Sequence, residues 1–488
     1  MLLYERRDFM NTQKKDYLEF HGGPLISIIP FGTFLTGCFL LACTGYATFQ
    51  AYWVIAAFCV VLCLLLAKSP QECFYSIIKG TSTDLITVVI FCWIFSGIFA
   101  GILKVSGLTS GLIWLGGVTH LKSGWFIALS FLLSCIYSTS TGTGSGTVLM
   151  MTSLLYPAGI ALGAHPLVLG GSIISGGCFG DNLSPISDTT IVATATMGVD
   201  IPGVMRSRIP YTLTAGSLSL AIHTILGFLL EGNIHVSNTT YEQLLATANP
   251  RGLIMLFPAT LVVVLAIKGV NLVLSMTAGG ILAISIGIPT GLLKISDVLK
   301  FENGTATGSV VDGISGFSGL IIFIFLSYAL SHIMTASGAI DLILEKIKEN
   351  IHSTQQAELI NCCVIALSSL ALCSTVASQI IAGPIMKGIA DKYDLSLYRT
   401  ANFSDAIQAM FSYTMPWGGP GMVFCATSLL VAQTYSWCPV ITNPVSLIPF
   451  TIHAFFIGGI FLFSAITGIG RKRDQQLDDD YRFQNILF

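Results

Sequence analysis

The chain has 488 residues, of which 53% are hydrophobic and 10% charged, with a formal net charge of −2. A soluble domain carries about 25% charged residues, so water is not the main solvent of this chain, and the near-neutral balance points to no nucleic-acid partner. Apolar runs such as residues 51–67 and 85–105 are continuous rather than alternating and approach the ~20 residues of a spanning helix. They predict an all-α polytopic membrane protein whose solvent is the lipid bilayer.

In chain order, spans are expected over residues 26–46, 51–67, 85–105, 125–138, 165–181 and 208–230, and then over 252–267, 270–288, 316–334, 360–381, 402–413, 422–433 and 445–469. The tail 1–25 carries Arg6, Arg7, Lys14 and Lys15, and the tail 471–488 carries Arg471, Lys472, Arg473 and Arg482. By the positive-inside rule both tails are cytoplasmic and the span count is even. The connection 233–250 has no Lys or Arg, whereas Arg206 and Arg208 lie just before the preceding span. The first half, 26–232, therefore begins inside and ends outside, and the second, 251–470, runs back. The first ~20 residues lack the apolar core of a cleaved signal peptide. Thirteen cysteines are scattered without a CxxC pair and read as small packing residues rather than metal ligands or disulfides.

The two halves echo each other. Ser106-Gly107 matches Ser337-Gly338 at an offset of 231, Ser138-Thr139 matches Ser374-Thr375 at 236, and the Phe179-Gly-Asp181 triplet matches Phe403-Ser-Asp405 at 224. Together with the opposed directions, this predicts two inverted-topology repeats with re-entrant hairpins and broken helices, and a site near the midplane where the breaks meet.

Three polar clusters interrupt the apolar runs. Residues 137–147, YSTSTGTGSGT, hold no large apolar side chain after Tyr137. Irregular backbone at membrane depth must be surrounded by protein or line a water-filled cavity, so this stretch reads as a hairpin tip or helix break with Thr143 and Ser145 as hard oxygen ligands. The alternative is a packing face of small residues. Residues 176–190, GGCFGDNLSPISDTT, place Asp181 and Asp188 seven apart across Pro185. On an unbroken helix they would share a face about 10 Å apart. A carboxylate at membrane depth is functional by default; it can hold a proton or a sodium ion, either of which removes its uncompensated charge. Asp188 could instead cap a half-helix. Asn182, Ser184, Ser187 and Thr189 would complete the site. The third cluster, Asn402-Phe-Ser-Asp405 with Gln408, reads as the counterpart of the second, with Asp405 standing where Asp181 stands; its alternative is an interfacial cap near Arg399.

The string Phe179-Gly-Asp-Asn-Leu-Ser-Pro-Ile-Ser-Asp-Thr-Thr190, followed by Asp200 and Arg206-Ser-Arg-Ile-Pro-Tyr211, resembles the signature region of the NhaC sodium/proton antiporter family. The stretch Thr141 to Thr147 is similar to that family's preceding motif, and Glu19-Phe-His-Gly-Gly-Pro24 to its entry into the first span. The resemblance implies paired inverted repeats with re-entrant hairpins in the inner membrane, exchange of sodium for protons without a resident cofactor, and relatives that exchange organic acids such as malate against lactate. The second hairpin is expected to break over residues 375–383, with Ser378 and Gln379 as further candidate ligands; there Ser378 precedes Gln379 where the family pattern has an acidic residue, and Gly146 follows Ser145 where it has Trp.

An antiporter of inorganic cations calls for buried carboxylates (Asp181, Asp188 and Asp405), hydroxyl-lined breaks and few positive charges at the site. An organic-acid or amino-acid carrier calls for half-helix N-termini or a buried Arg facing the substrate carboxylate, a role Asn182, Ser187 and Thr189 could fill without an Arg. An enzyme would need a nucleophile or metal constellation, and neither an HExxH nor a GxSxG string occurs. The expected partners are thus sodium, protons, the bilayer and, on the second reading, a small organic acid; oligomeric state is open, with a homodimer one option. Single cysteines introduced at Arg6 and at Arg473 should react with a membrane-impermeant thiol reagent from the same face. Labelling from opposite faces would refute the predicted orientation.

Overall fold

The protein is described by a computed structural model that covers residues 17–44, 49–82, 84–119, 122–185, 187–230, 249–268, 270–302, 304–342, 351–372, 375–435 and 437–471. The tail charges up to Lys15 and from Lys472 onward, and nearly all of the 233–250 connection, lie outside the described residues. So does Ser374.

Apolar composition leaves the backbone no partner but itself, and the result is helical throughout. Among the described residues the one sheet is a hairpin of Lys300–Glu302 with Thr305–Thr307, exposed on both strands. Among the described residues, Pro24–Leu41, Ile201–Leu229, Ser309–Ala336 and Leu397–Gln433 are long and apolar enough to cross a bilayer. The expected last span is instead a bent pair, Pro444–Phe450 and Ile452–Thr467, turned by 58°.

Several helices lie outside the expected spans. Gly144–Ala161 follows the glycine-rich stretch directly, and Pro70–Thr81 and Leu108–Thr119 fill what read as connections. The expected span 360–381 is two helices, Thr354–Leu372 and Thr375–Lys392, so the break expected over 375–383 is corrected: those residues are helical and the two helices are parted before Thr375. Dense Gly, Ser and Thr dilute the apolar signal that marks a helix, while buried neighbours still stabilise the helical backbone.

The internal repeat is sharper in the structure than in the sequence. Ser123–Thr141, Gly144–Ala161 and Pro166–Leu183 are followed by a break and a new helix at Asp188. Thr354–Leu372, Thr375–Lys392 and Leu397–Thr414 are followed by a break and a new helix at Gly419. Each helix start in the second series lies 231 residues after its counterpart, the same offset that separates Ser106-Gly107 from Ser337-Gly338. The offsets of 236 and 224 are therefore corrected. In helix register the counterpart of Asp181 is Ser412, and Asp405 lies two turns earlier in its helix. Matching FGD to FSD aligned residue types, whereas helix starts fix position.

Within each series the first two helices form a hairpin and the third runs parallel to the first. Gly159 packs on Phe126 and Leu169 in the first series. In the second, the Tyr393 hydroxyl donates to the Ile351 carbonyl at 2.8 Å, joining the hairpin's open end. The series also pack reciprocally. Gly144–Ala161 packs on Gly419–Thr434, with Tyr156 edge-on to Phe424 at 5.3 Å between ring centroids. Thr375–Lys392 packs on Asp188–Met197, with Gly383 against Thr196.

Small residues set the closest approach. A Cβ on Gly180 would stand 2.4 Å from both the Ser138 Cβ and the Thr139 amide nitrogen, and the Ser138 hydroxyl donates to the Gly177 carbonyl at 2.7 Å. Gly180→Val should cost on the order of 1–3 kcal/mol or more through overpacking. Gly459→Val, at a helical glycine with nothing within 4 Å of the added Cβ, should be nearly neutral. Thermal unfolding of the purified protein in detergent compares the two, and equal midpoints would contradict the packing described.

Candidate functional site

The first hairpin turns at Gly142, in the left-handed conformation with φ 66°, and Thr143 then caps the next helix by accepting from the Gly146 amide at 3.3 Å. The polar stretch is therefore a hairpin tip, as expected. Its counterpart at 373–374 lies outside the described residues.

Pro166–Leu183 ends two residues after Asp181, and the chain restarts as a helix at Asp188. The break keeps the two carboxylates from sharing one helical face. Asp188 opens the new helix with its side chain exposed, whereas Asp181 is drawn inward and accepts from the Ser187 hydroxyl at 2.7 Å and from the Tyr413 hydroxyl at 3.1 Å. Ser187 also shares a hydrogen bond of 2.9 Å with Thr189. Tyr413 reaches Asp181 across the first hairpin tip because residue 144 is glycine: a Cβ there would overlap the tyrosine oxygen at 1.4 Å.

Beside Asp181 lies a fully buried charge pair. Arg208 Nη1 stands 2.8 Å from Asp405 Oδ2, each side chain 1% exposed. The same carboxylate oxygen accepts from the Asn182 amide at 2.8 Å. Arg208 also donates through Nε to the Asn402 side-chain oxygen at 2.8 Å, and through Nη1 to the Asn182 carbonyl at 2.7 Å and the Thr190 hydroxyl at 3.0 Å. Asn402 in turn donates to Ser207 at 2.7 Å. The pair thus ties the helix before the first break, the helix after it, the Ile201–Leu229 span and the Leu397–Thr414 helix into one network.

Two expectations change. Arg208 read as an interfacial charge and the site as poor in positive charge; in fact Arg208 sits inside a span at the centre of the polar network. Asp405 read as the counterpart of Asp181 and is the neutralised partner of Arg208. The sequence did carry a signal: a carboxylate deep in a helix requires a partner, and the Arg206-Ser-Arg208 stretch supplies one. Tyr413 and Thr190 were also missed, since a tyrosine at a helix end and a threonine after an aspartate are commonplace.

The remaining candidates divide. Asn182, Ser187, Thr189 and Asn402 join the network, and Thr143 and Ser145 line the tip, with Ser145 facing Gly419. Ser184 is buried in the break itself. Ser378 donates to the Thr375 carbonyl at 2.8 Å, and neither it nor Gln379 makes a hydrogen bond to Asp181, Asp405 or Arg208.

A family described as the Na+/H+ antiporter family matches residues 17–232 and again 207–455. Three curated relatives show its breadth. The arginine/ornithine antiporter of Halobacterium salinarum is 28% identical over 375 residues, 72% of this chain and 74% of that protein. The malate-2H+/Na+-lactate antiporter of Bacillus subtilis is 25% identical over 402 residues, 79% and 84% of the two chains. The Na+/H+ antiporter NhaC of Alkalihalophilus pseudofirmus is 24% identical over 409 residues, 78% and 82%.

Removing one member of a buried ion pair leaves an uncompensated charge, at a cost of roughly 3–5 kcal/mol, whereas replacing both is often close to neutral. Arg208→Met should therefore lower the thermal unfolding midpoint sharply, and Arg208→Met with Asp405→Asn should recover most of the loss. Additive losses in the double variant would show that the two side chains do not act as a pair.

Proposed function

The chain belongs to the Na+/H+ antiporter family, and we propose that it exchanges sodium for protons across the cytoplasmic membrane, with Asp181 as the carboxylate for which the two ions compete. One observation carries this reading. Of the two carboxylates in the network, Asp405 holds Arg208 at 2.8 Å, whereas Asp181 is held only by neutral hydroxyls. Its charge is the one left for a mobile cation to neutralise.

Obligatory exchange follows from that arrangement. A site that held both ions at once would leak, and one that held neither would carry an unpaired charge through the bilayer interior, which is costly. The hydroxyls of Ser187, Thr189 and Thr143 suit a sodium shell, since hard cations take oxygen ligands. Asp188, exposed at the far side of the break, is placed to attract cations toward Asp181. We further propose that the two repeats are inverted, with both termini cytoplasmic, so that the hairpin tip and the breaks meet near the midplane.

A second reading draws on Arg208. A buried guanidinium is the group an organic-acid or amino-acid carrier would use, and relatives include antiporters of arginine/ornithine and malate/lactate. Arg208 Nε and Nη1 already hold four partners while Nη2 is buried without one among the described residues; the pairing with Asp405 cancels the charge an organic anion would seek and keeps the sodium reading first.

Proton flux in vesicles loaded with a pH-sensitive dye separates the two. A sodium gradient should drive proton movement in the parent; Asp181→Asn should abolish it, and Asp188→Asn should raise the sodium concentration needed for half-maximal rate. Parent-like exchange in Asp181→Asn would end the mechanism. Movement of an organic acid or amino acid by a parent that moves no sodium would replace the first reading with the second.

A further inference from the structure

A second set of buried polar groups lies away from Asp181, inside the bundle made by Thr354–Leu372, Thr375–Lys392 and Leu397–Thr414, which all pack on one another. Asn361 is 0% exposed and neither its amide nitrogen nor its oxygen has a partner; the same is true of Gln379. The hydroxyls of Ser368 and Ser404 are also buried without a partner, as is Oδ1 of Asp405. An unmet buried polar group costs about 1–3 kcal/mol, and this cluster holds several within three helices.

The helix register gives the heights of these groups along the bundle. Glu358 meets Arg399 at 2.8 Å, which sets the level of the first helix against the parallel third. At a rise of 1.5 Å per residue, Asn361 stands about 4.5 Å beyond Glu358, Ser404 about 7.5 Å and Asp405 about 9 Å beyond Arg399. Asn361 and Ser368 are seven apart and share a face. Ser368 lies four residues before Leu372 and Gln379 four after Thr375, so the hairpin brings them to the same height.

The chemistry of the free atoms selects the occupant. A bare cation satisfies oxygens only and would leave the two amide nitrogens unmet. Water donates and accepts, and a buried water typically makes about three hydrogen bonds to such groups. We propose that this bundle holds a column of bound water running from the Glu358–Arg399 pair past Asn361, Ser404 and the free oxygen of Asp405 to Ser368 and Gln379 at the hairpin end, and that the column is the proton's route toward the exchange site. The route rests on the sodium/proton reading above; the water does not.

The test uses the full chain in vesicles and compares sodium-driven proton flux with exchange of labelled sodium for sodium, which needs no proton. Asn361→Leu should lower proton flux about tenfold with sodium-for-sodium exchange unchanged, Ser368→Ala should lower it less, and Asn361→Ser, which keeps a hydroxyl for water, should retain most of it. Unchanged proton flux in both Asn361→Leu and Ser368→Ala overturns the route, and so does an equal loss of both fluxes. Should the parent couple no protons to sodium, the sodium/proton reading fails, and an experimental map at a resolution that shows water decides the column. Water between Asn361 and Ser404 sustains it, and side chains packed dry end it.

Discussion

The rest of the site depends on one buried ion pair. Arg208 and Asp405 come from different halves of the chain, and each is 1% exposed. Moving either charge from water to such an interior is unfavourable by several kcal/mol per ion, and attraction offsets this only when the remaining hydrogen-bonding atoms are also met. Asn182, Asn402 and Thr190 supply partners for Arg208 Nε and Nη1 and for Asp405 Oδ2, while Arg208 Nη2 and Asp405 Oδ1 stay buried without one among the described residues. Their positions are consequently fixed together: the end of one helix, the start of the next, a long span and a helix of the opposite repeat cannot shift independently without exposing a bare charge.

Around that pair the two repeats close reciprocally. Each hairpin's second helix packs against the helix that follows the other repeat's break, so both breaks have protein beside them, as backbone at membrane depth requires. Glycine makes the approaches close enough. Gly180 admits the first hairpin's helix and Gly144 admits the Tyr413 hydroxyl, so a property of backbone spacing decides where a functional oxygen stands.

Much of this was legible in the sequence. The FGDNLSPISDTT string marked the first break, the tip at Thr143 was readable from its lack of apolar side chains, and the Ser-Gly pairs already gave the 231-residue offset. The rest was hidden for physical reasons. Arg208 is three-dimensional information: nothing local distinguishes an arginine that ends a span from one that turns inward to a carboxylate 197 positions away. The Gly144–Ala161 helix is marked by neighbours rather than by its own pattern. The match of FGD with FSD misled because chemistry and helix register diverge in the two repeats, leaving a carboxylate at 181 and a serine at 412.

That divergence bears on coupling. Had the second repeat kept a carboxylate in register with Asp181, two uncompensated charges could face the break, and one sodium could exchange against two protons. Instead Asp405 lies two turns away and is cancelled by Arg208, while Tyr413, adjacent to the serine that replaces the carboxylate, returns as a hydrogen-bond donor to Asp181. On the reading proposed above, the network then presents a single unit of negative charge, which one sodium ion or one proton neutralises. On that reading, exchange through Asp181 alone is one for one and electrically silent.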